Sequence, residues 1–153
     1  MWVDASIRFN TKQNVEELVA IGRDLDLLVL RGSGNVAART LPRMFYSFFD
    51  EEPCMFRDKP EIQTGFIVIK VNSFSVANIL KPWVWCALTQ DCMAPKEGAL
   101  KYITCGDLDK YGVCHRYDQS AWAIILYCLY GNMIEHRKVN IDGPLLTVKR
   151  GDE

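Results

Sequence analysis

No apolar run in the chain approaches the roughly 18–20 residues that a bilayer-spanning helix requires. Neither sign of charge dominates. With 18 basic and 19 acidic residues the net charge is −1, which excludes a broad nucleic-acid footprint, because such binding rests on neutralising phosphates. Low-complexity tracts are missing, and 49% apolar residues rule out a disordered chain. The opening residues, Met1-Trp2-Val3 followed at once by Asp4 and Arg8, carry no signal-peptide pattern. Close C-x-x-C pairs are missing too, which counts against a structural zinc site. Taken literally, these absences describe a soluble, cytosolic chain, and 153 residues suffice for one domain with a single buried core.

The cysteines that are present pull the other way. Of six, Cys86, Cys92, Cys105 and Cys114 fall in one segment with Pro95, Gly98, Gly106 and Gly112, an irregular stretch from Asp91 to Val113. A loop of this length is functional or stapled, and disulfides would staple it. Zinc ligation and buried reduced thiols stay open beside that reading, and four cysteines allow three pairings.

Periodicity supplies an α/β pattern. Trp2-Val3 and Ile7-Arg8-Phe9 read as the end of a buried strand, with Asp4 at the place where open α/β sheets bind ligands. Val15, Leu18 and Val19 mark a short helix from Asn14 to Asp24, and Leu27 to Leu30 a buried strand. Leu41, Met44, Phe45, Phe48 and Phe49 recur at helical spacing after Thr40, a candidate N-cap. Ile62 to Val71 is the clearest strand, with Gln63 and Gly65 at its entrance. Ser73 or Ser75 can cap the next helix, Pro82 interrupts or restarts it, and Trp83 and Trp85 belong to the core. A helix from Gln119 to about Tyr130 follows, and Val139 to Lys149 reads as one edge strand with a break at Gly143-Pro144.

Gly32-Ser33-Gly34-Asn35-Val36-Ala37 formally matches the G-x-G-x-x-A dinucleotide fingerprint, with Asp50 or Glu51 near the spacing of a ribose-binding acid. A Rossmann half needs a parallel strand soon after that acid. Glu52 to Pro60 reads as loop instead, so a flexible glycine loop is the expectation here.

The densest chemistry lies in Cys114-His115-Arg116-Tyr117-Asp118-Gln119-Ser120-Ala121-Trp122, which packs a histidine, an arginine, a tyrosine and a carboxylate into four consecutive positions directly before a helix. Unpaired N–H groups at a helix start favour a negative ligand. The same residues also fit an Asp118 N-cap with Tyr117 as a hydrophobic staple.

Taken with Trp2 to Phe9, Ile62-Gln63-Thr64-Gly65-Phe66, Leu80-Lys81-Pro82-Trp83-Val84-Trp85-Cys86-Ala87-Leu88 and Asp91-Cys92-Met93-Ala94-Pro95, that run resembles an uncharacterised metazoan family of nucleotide-sugar glycosyltransferases over about residues 1 to 130. More loosely it is similar to glycogenin-like transferases of the GT-A fold. The resemblance implies an α/β, partial GT-A-like mixed sheet flanked by helices. The single domain, residues 1–150, would be the C-terminal part of a transferase without its nucleotide-binding half, which leaves the activity of the chain by itself in question.

Position by position, the resemblance puts Asp4 at the start of the Asp-x-Asp metal motif, with Ser6 where a second Asp belongs. Mn²⁺ or Mg²⁺ would bind there, weakened by that exchange. Gln63 and Gly65 would meet the donor sugar or acceptor. Asp118 and Gln119 would be the catalytic pair, and His115 and Arg116 would meet phosphate oxygens. The implied partners are a nucleotide-sugar donor and a glycan or protein acceptor, with no nucleic acid and no membrane contact by this segment. The implied location is the Golgi lumen, as part of a longer chain. The alternatives are a non-catalytic lumenal or secreted binding domain with a degenerate GT-A fold, and a cytosolic dinucleotide-binding enzyme built on Gly32 and Gly34.

Overall fold

The computed structural model describes residues 1–95, 111–112, 114–140 and 143–148. Cys105 lies outside them. A four-stranded mixed sheet is built from β1 (Trp2–Val3), β3 (Leu27–Asn35), β4 (Pro60–Ile69) and β5 (Lys138–Val139), in the order β1-β4-β3-β5. β4 pairs antiparallel with both β1 and β3, and β5 runs parallel to β3. A second, two-stranded sheet pairs β2 (Ile7–Phe9) with β6 (Leu146–Val148).

Strand alternation sends β3 side chains to two cores. Leu27 and Val29 join the cluster under α5 (Asp118–Tyr130), which includes Ile67, Trp122, Ile124 and Leu126. Leu28 and Leu30 face the other way, to Leu18 of α1 (Lys12–Leu25) and to Ile7, Phe66, Val68 and Leu146. The sheet is therefore covered on both faces, the arrangement that permits near-continuous apolar strands such as Phe66 to Ile69. α5 is buried without interruption from Gln119 to Tyr127, as expected of a helix apolar on all sides. The mixed α/β class expected from periodicity is the one observed.

Several local expectations are corrected. The glycine segment is no loop: β3 continues through Gly32-Ser33-Gly34 to Asn35. The chain can follow this path because side chains of β4 and the following turn fill the space beside it. A Cβ on Gly32 would lie 2.7 Å from Glu61 Oε2, and one on Gly34 2.6 Å from Arg39 Nε. Packing thus accounts for both glycines, and no helix opens at Gly34 as the dinucleotide fingerprint requires.

The opening strand is divided between two sheets, and Trp2 is exposed at the sheet edge. Val139 to Lys149 likewise does not form one strand: β5 and β6 belong to different sheets. Thr40 is buried and caps nothing; α2 (Pro42–Met44) starts from Leu41 and widens into a π-turn over Phe45–Phe49. Asn72, and neither serine, caps α3 (Ser73–Ser75), with Ser75 completing the capping box.

Pro82 neither breaks nor restarts the helix. α3 passes through a π-turn at Val76–Leu80 into α4 (Lys81–Leu88), and the wider turn accommodates the missing N–H and the ring of a proline in helical surroundings. Trp83 packs on the core, but Trp85 is half exposed. Cys86 and Cys92 are joined by a disulfide with a Cα–Cα distance of 5.3 Å, and Cys114 is also disulfide-bonded. Cys54 and Cys128 are free. The α4 end and the segment before α5 are thus each tied covalently.

Candidate functional site

Asp4 and Asp118 bond to consecutive residues of β4, Asp4 through its main chain and Asp118 through its carboxylate. Asp4 follows β1 at the sheet edge, and its N–H donates to the Gly65 carbonyl at 2.7 Å. Asp118, the first residue of α5, accepts from Thr64 Oγ1 at 2.8 Å through Oδ2. Both aspartates are exposed. A Cβ on Gly65 would lie 3.7 Å from the Asp4 Cβ, an ordinary van der Waals contact, so packing does not require glycine there. Gln63, half-buried on the same strand, donates no side-chain hydrogen bond among the described residues.

The Asp118 end of the helix is fixed from two sides. Trp83 Nε1 donates to its carbonyl at 3.0 Å, and Trp83 in turn packs on Trp122 with ring centroids 4.8 Å apart. Tyr117, directly before it, has φ 49°, the left-handed region that a bulky side chain rarely occupies. That backbone turn, and no Asp118 side-chain cap, starts α5; Asp118 is the first helical residue and its carboxylate is turned to Thr64. Strain of this kind persists where surrounding contacts over-determine it.

Behind the exposed pair lies a buried polar cluster. Glu61, 4% exposed, accepts from Gln119 Nε2 and lies 3.6 Å from Arg116 Nε. Ser120 Oγ accepts from the Arg116 N–H at 3.1 Å and donates to the Arg39 carbonyl at 2.9 Å. Gln119 and Arg116 are therefore engaged with a carboxylate of β4. Glu61 and Thr64 were not singled out by sequence reading, although an acid inside an otherwise apolar strand was a visible signal for the first of them.

His115 is fully buried and separate from the open pair. Its Nε2–H donates to the Met93 carbonyl at 2.9 Å, and Nδ1 accepts from the Leu41 N–H at 3.4 Å, so both nitrogens serve main-chain groups and neither faces solvent. The sequence reading put His115 against phosphate oxygens; the structure gives it the work of tying the segment before α5 to two loops. Burial holds its pKa below the ordinary histidine value, opposed in part by the bond to Met93. The native state keeps His115 neutral while the unfolded chain protonates near pH 6.5, so this contribution to stability is full above that pH and is lost as pH falls through the folded value. Urea unfolding should show a midpoint that drops between pH 7.5 and 5.5, and the drop should shrink in His115→Gln.

The implied divalent ion can be tested against the donors present. Asp4 Oδ1 already accepts from the Ser6 N–H at 3.2 Å, and Ser6 offers a hydroxyl in place of a second carboxylate. Among the described residues no group of three His, Cys, Asp or Glu side chains gathers to hold an ion. Mg²⁺ and Mn²⁺ take about six oxygen ligands, of which one or two are typically carboxylate and the rest water or substrate phosphate. Asp4 supplies one carboxylate and Ser6 none, a weaker donor set than the two-carboxylate motif. Asp4 and Asp118 are exposed carboxylates, each able to accept hydrogen bonds from hydroxyl groups.

Among the described residues no helix is long and apolar enough to cross a membrane. No family model, curated protein or solved structure matches the chain.

Proposed function

We propose that this chain supplies the sugar-binding cleft of a nucleotide-sugar glycosyltransferase of GT-A type, which moves a sugar from its donor to a glycan or protein acceptor in the lumen of the secretory pathway. The observation that carries the reading is that Asp4 and Asp118, both open to solvent, each bond to β4, at the consecutive residues Gly65 and Thr64. Asp118 and Gln63 would bind sugar hydroxyls; Gln119, held by Glu61, would set the floor beneath them. The Cys86–Cys92 disulfide supports an oxidising compartment.

A second reading, a non-catalytic binding domain of the same fold, is favoured by one specific observation: Ser6 stands where the metal motif requires a carboxylate. Release of UDP from UDP-hexoses, measured with this chain, separates the two. Under the transferase reading UDP is released, and Asp118→Asn lowers the rate by about a hundredfold or more. Silence across donors, with sugar binding retained, selects the binding domain.

A further inference from the structure

Away from the aspartate pair, a hollow of about 380 Å³ opens between the end of β3 and the turn before β4, walled by Arg31, Gly32, Ser33, Asn35, Arg57 and Asp58. That volume is in the range of small-molecule sites, about 300–1,000 Å³. The register of the two strands slips at this point. Arg31 is opposite Ile62 and Asn35 opposite Pro60, so four steps along β3 match two along β4. The excess falls in Gly-Ser-Gly, where a bulge takes main-chain groups out of the ladder, as bulges beside binding sites do.

The side chains around this bulge are mostly donors. Asn35 Oδ1 accepts from the Ala38 N–H at 2.7 Å, which fixes the amide and leaves its NH₂ group with no partner among the described residues. Arg57 is held over the Tyr111 ring at 5.4 Å, and Arg31 is paired with Glu135. Each guanidinium carries five N–H donors in a fork that matches an oxyanion, so one partner does not exhaust it. Behind the wall, Arg39 is 9% exposed with its Nε buried against Gly34 and without a partner among the described residues, which adds positive potential to the glycine segment. Asp58, exposed beside Lys59, is the one carboxylate of the wall and an acceptor for hydroxyls.

We propose that this hollow binds a small phosphate-bearing polyol, the phosphate meeting Arg31, Arg57 and the Gly32–Asn35 main chain, and a hydroxyl meeting Asp58. The proposal is independent of the sugar-transfer reading, since it uses none of the residues around Asp4 and Asp118. Glucose 6-phosphate is the probe, titrated into the chain at constant ionic strength while amide resonances are followed, with glucose and inorganic phosphate titrated separately.

Saturable shifts of Gly32, Ser33, Gly34 and Asn35 are expected, with tighter binding than either component alone. Arg57→Ala, at an exposed position, should weaken binding about tenfold or more, and Ser33→Asp, which places a negative charge in the wall, should abolish it. Shifts that never saturate, or an Arg57→Ala variant that binds as tightly as the wild type, would overturn the proposal.

Discussion

Glu61→Ala is expected to destabilise the chain by about 3–5 kcal/mol, a large share of the 5–15 kcal/mol typical of a domain. The carboxylate is 4% exposed and serves two partners, the Gln119 amide and the Arg116 guanidinium. Truncation strands the buried Gln119 amide and removes the carboxylate from the partly exposed Arg116, and an unsatisfied buried group costs its full desolvation. Glu61→Gln keeps the volume and one acceptor and should cost about 1–3 kcal/mol.

Crowding at the same place gives an independent check. A Cβ on Gly32 would come within 2.8 Å of the Glu61 Cβ, so Gly32→Ala should cost about 1–3 kcal/mol without any nucleotide present. Urea unfolding of the three variants at pH 7.5 measures all of this; a Glu61→Ala midpoint equal to the wild type's would show that the cluster does not hold α5 to β4.

Trp122→Ala is expected to cost about 3–5 kcal/mol and also to loosen the site. The side chain is fully buried among the apolar residues of α5 and the sheet, and its ring supports Trp83, which in turn holds the Asp118 carbonyl. The indole N–H has no partner among the described residues. Trp122→Phe therefore gives up no hydrogen bond and should cost well under half as much as the alanine variant. Comparing the two by thermal unfolding, and by affinity for the sugar-bearing ligand, separates ring packing from positioning of Asp118. Equal losses in both variants would contradict the packing account.

The parts of this fold that could be read from sequence are those where one local signal dominates. α1, β4 and α5 carry long unbroken periodic or apolar patterns, and each was expected within a few residues of its observed limits. The failures came where distant groups decide. Gly32 and Gly34 have a loop-like local preference, yet the side chains of Glu61 and Arg39 fill the space beside them and the backbone stays in the sheet. Pro82 carries a helix-breaking signal, but the π-turn ahead of it absorbs the defect.

The candidate site divides along the same line. Asp4 and Asp118 were visible as acids at element ends; the pairing of β1 with β4 places Asp4 beside Gly65, and the bond from Thr64 holds Asp118 one residue away along β4. The burial of His115 was not visible, because it depends on Met93 and Leu41, contacts 22 and 74 residues away along the chain. Thr64 was equally hidden, since its role exists only once α5 is laid against β4.

The most direct test is to titrate the ¹⁵N-labelled chain with UDP-hexoses while following the amides of Asp4, Thr64, Gly65 and Asp118. A ligand seated between the two carboxylates should move all four with a common saturation curve, and Asp118→Asn should flatten that curve while the variant stays folded. Shifts confined to other parts of the chain, or binding that Asp118→Asn leaves untouched, would contradict the account.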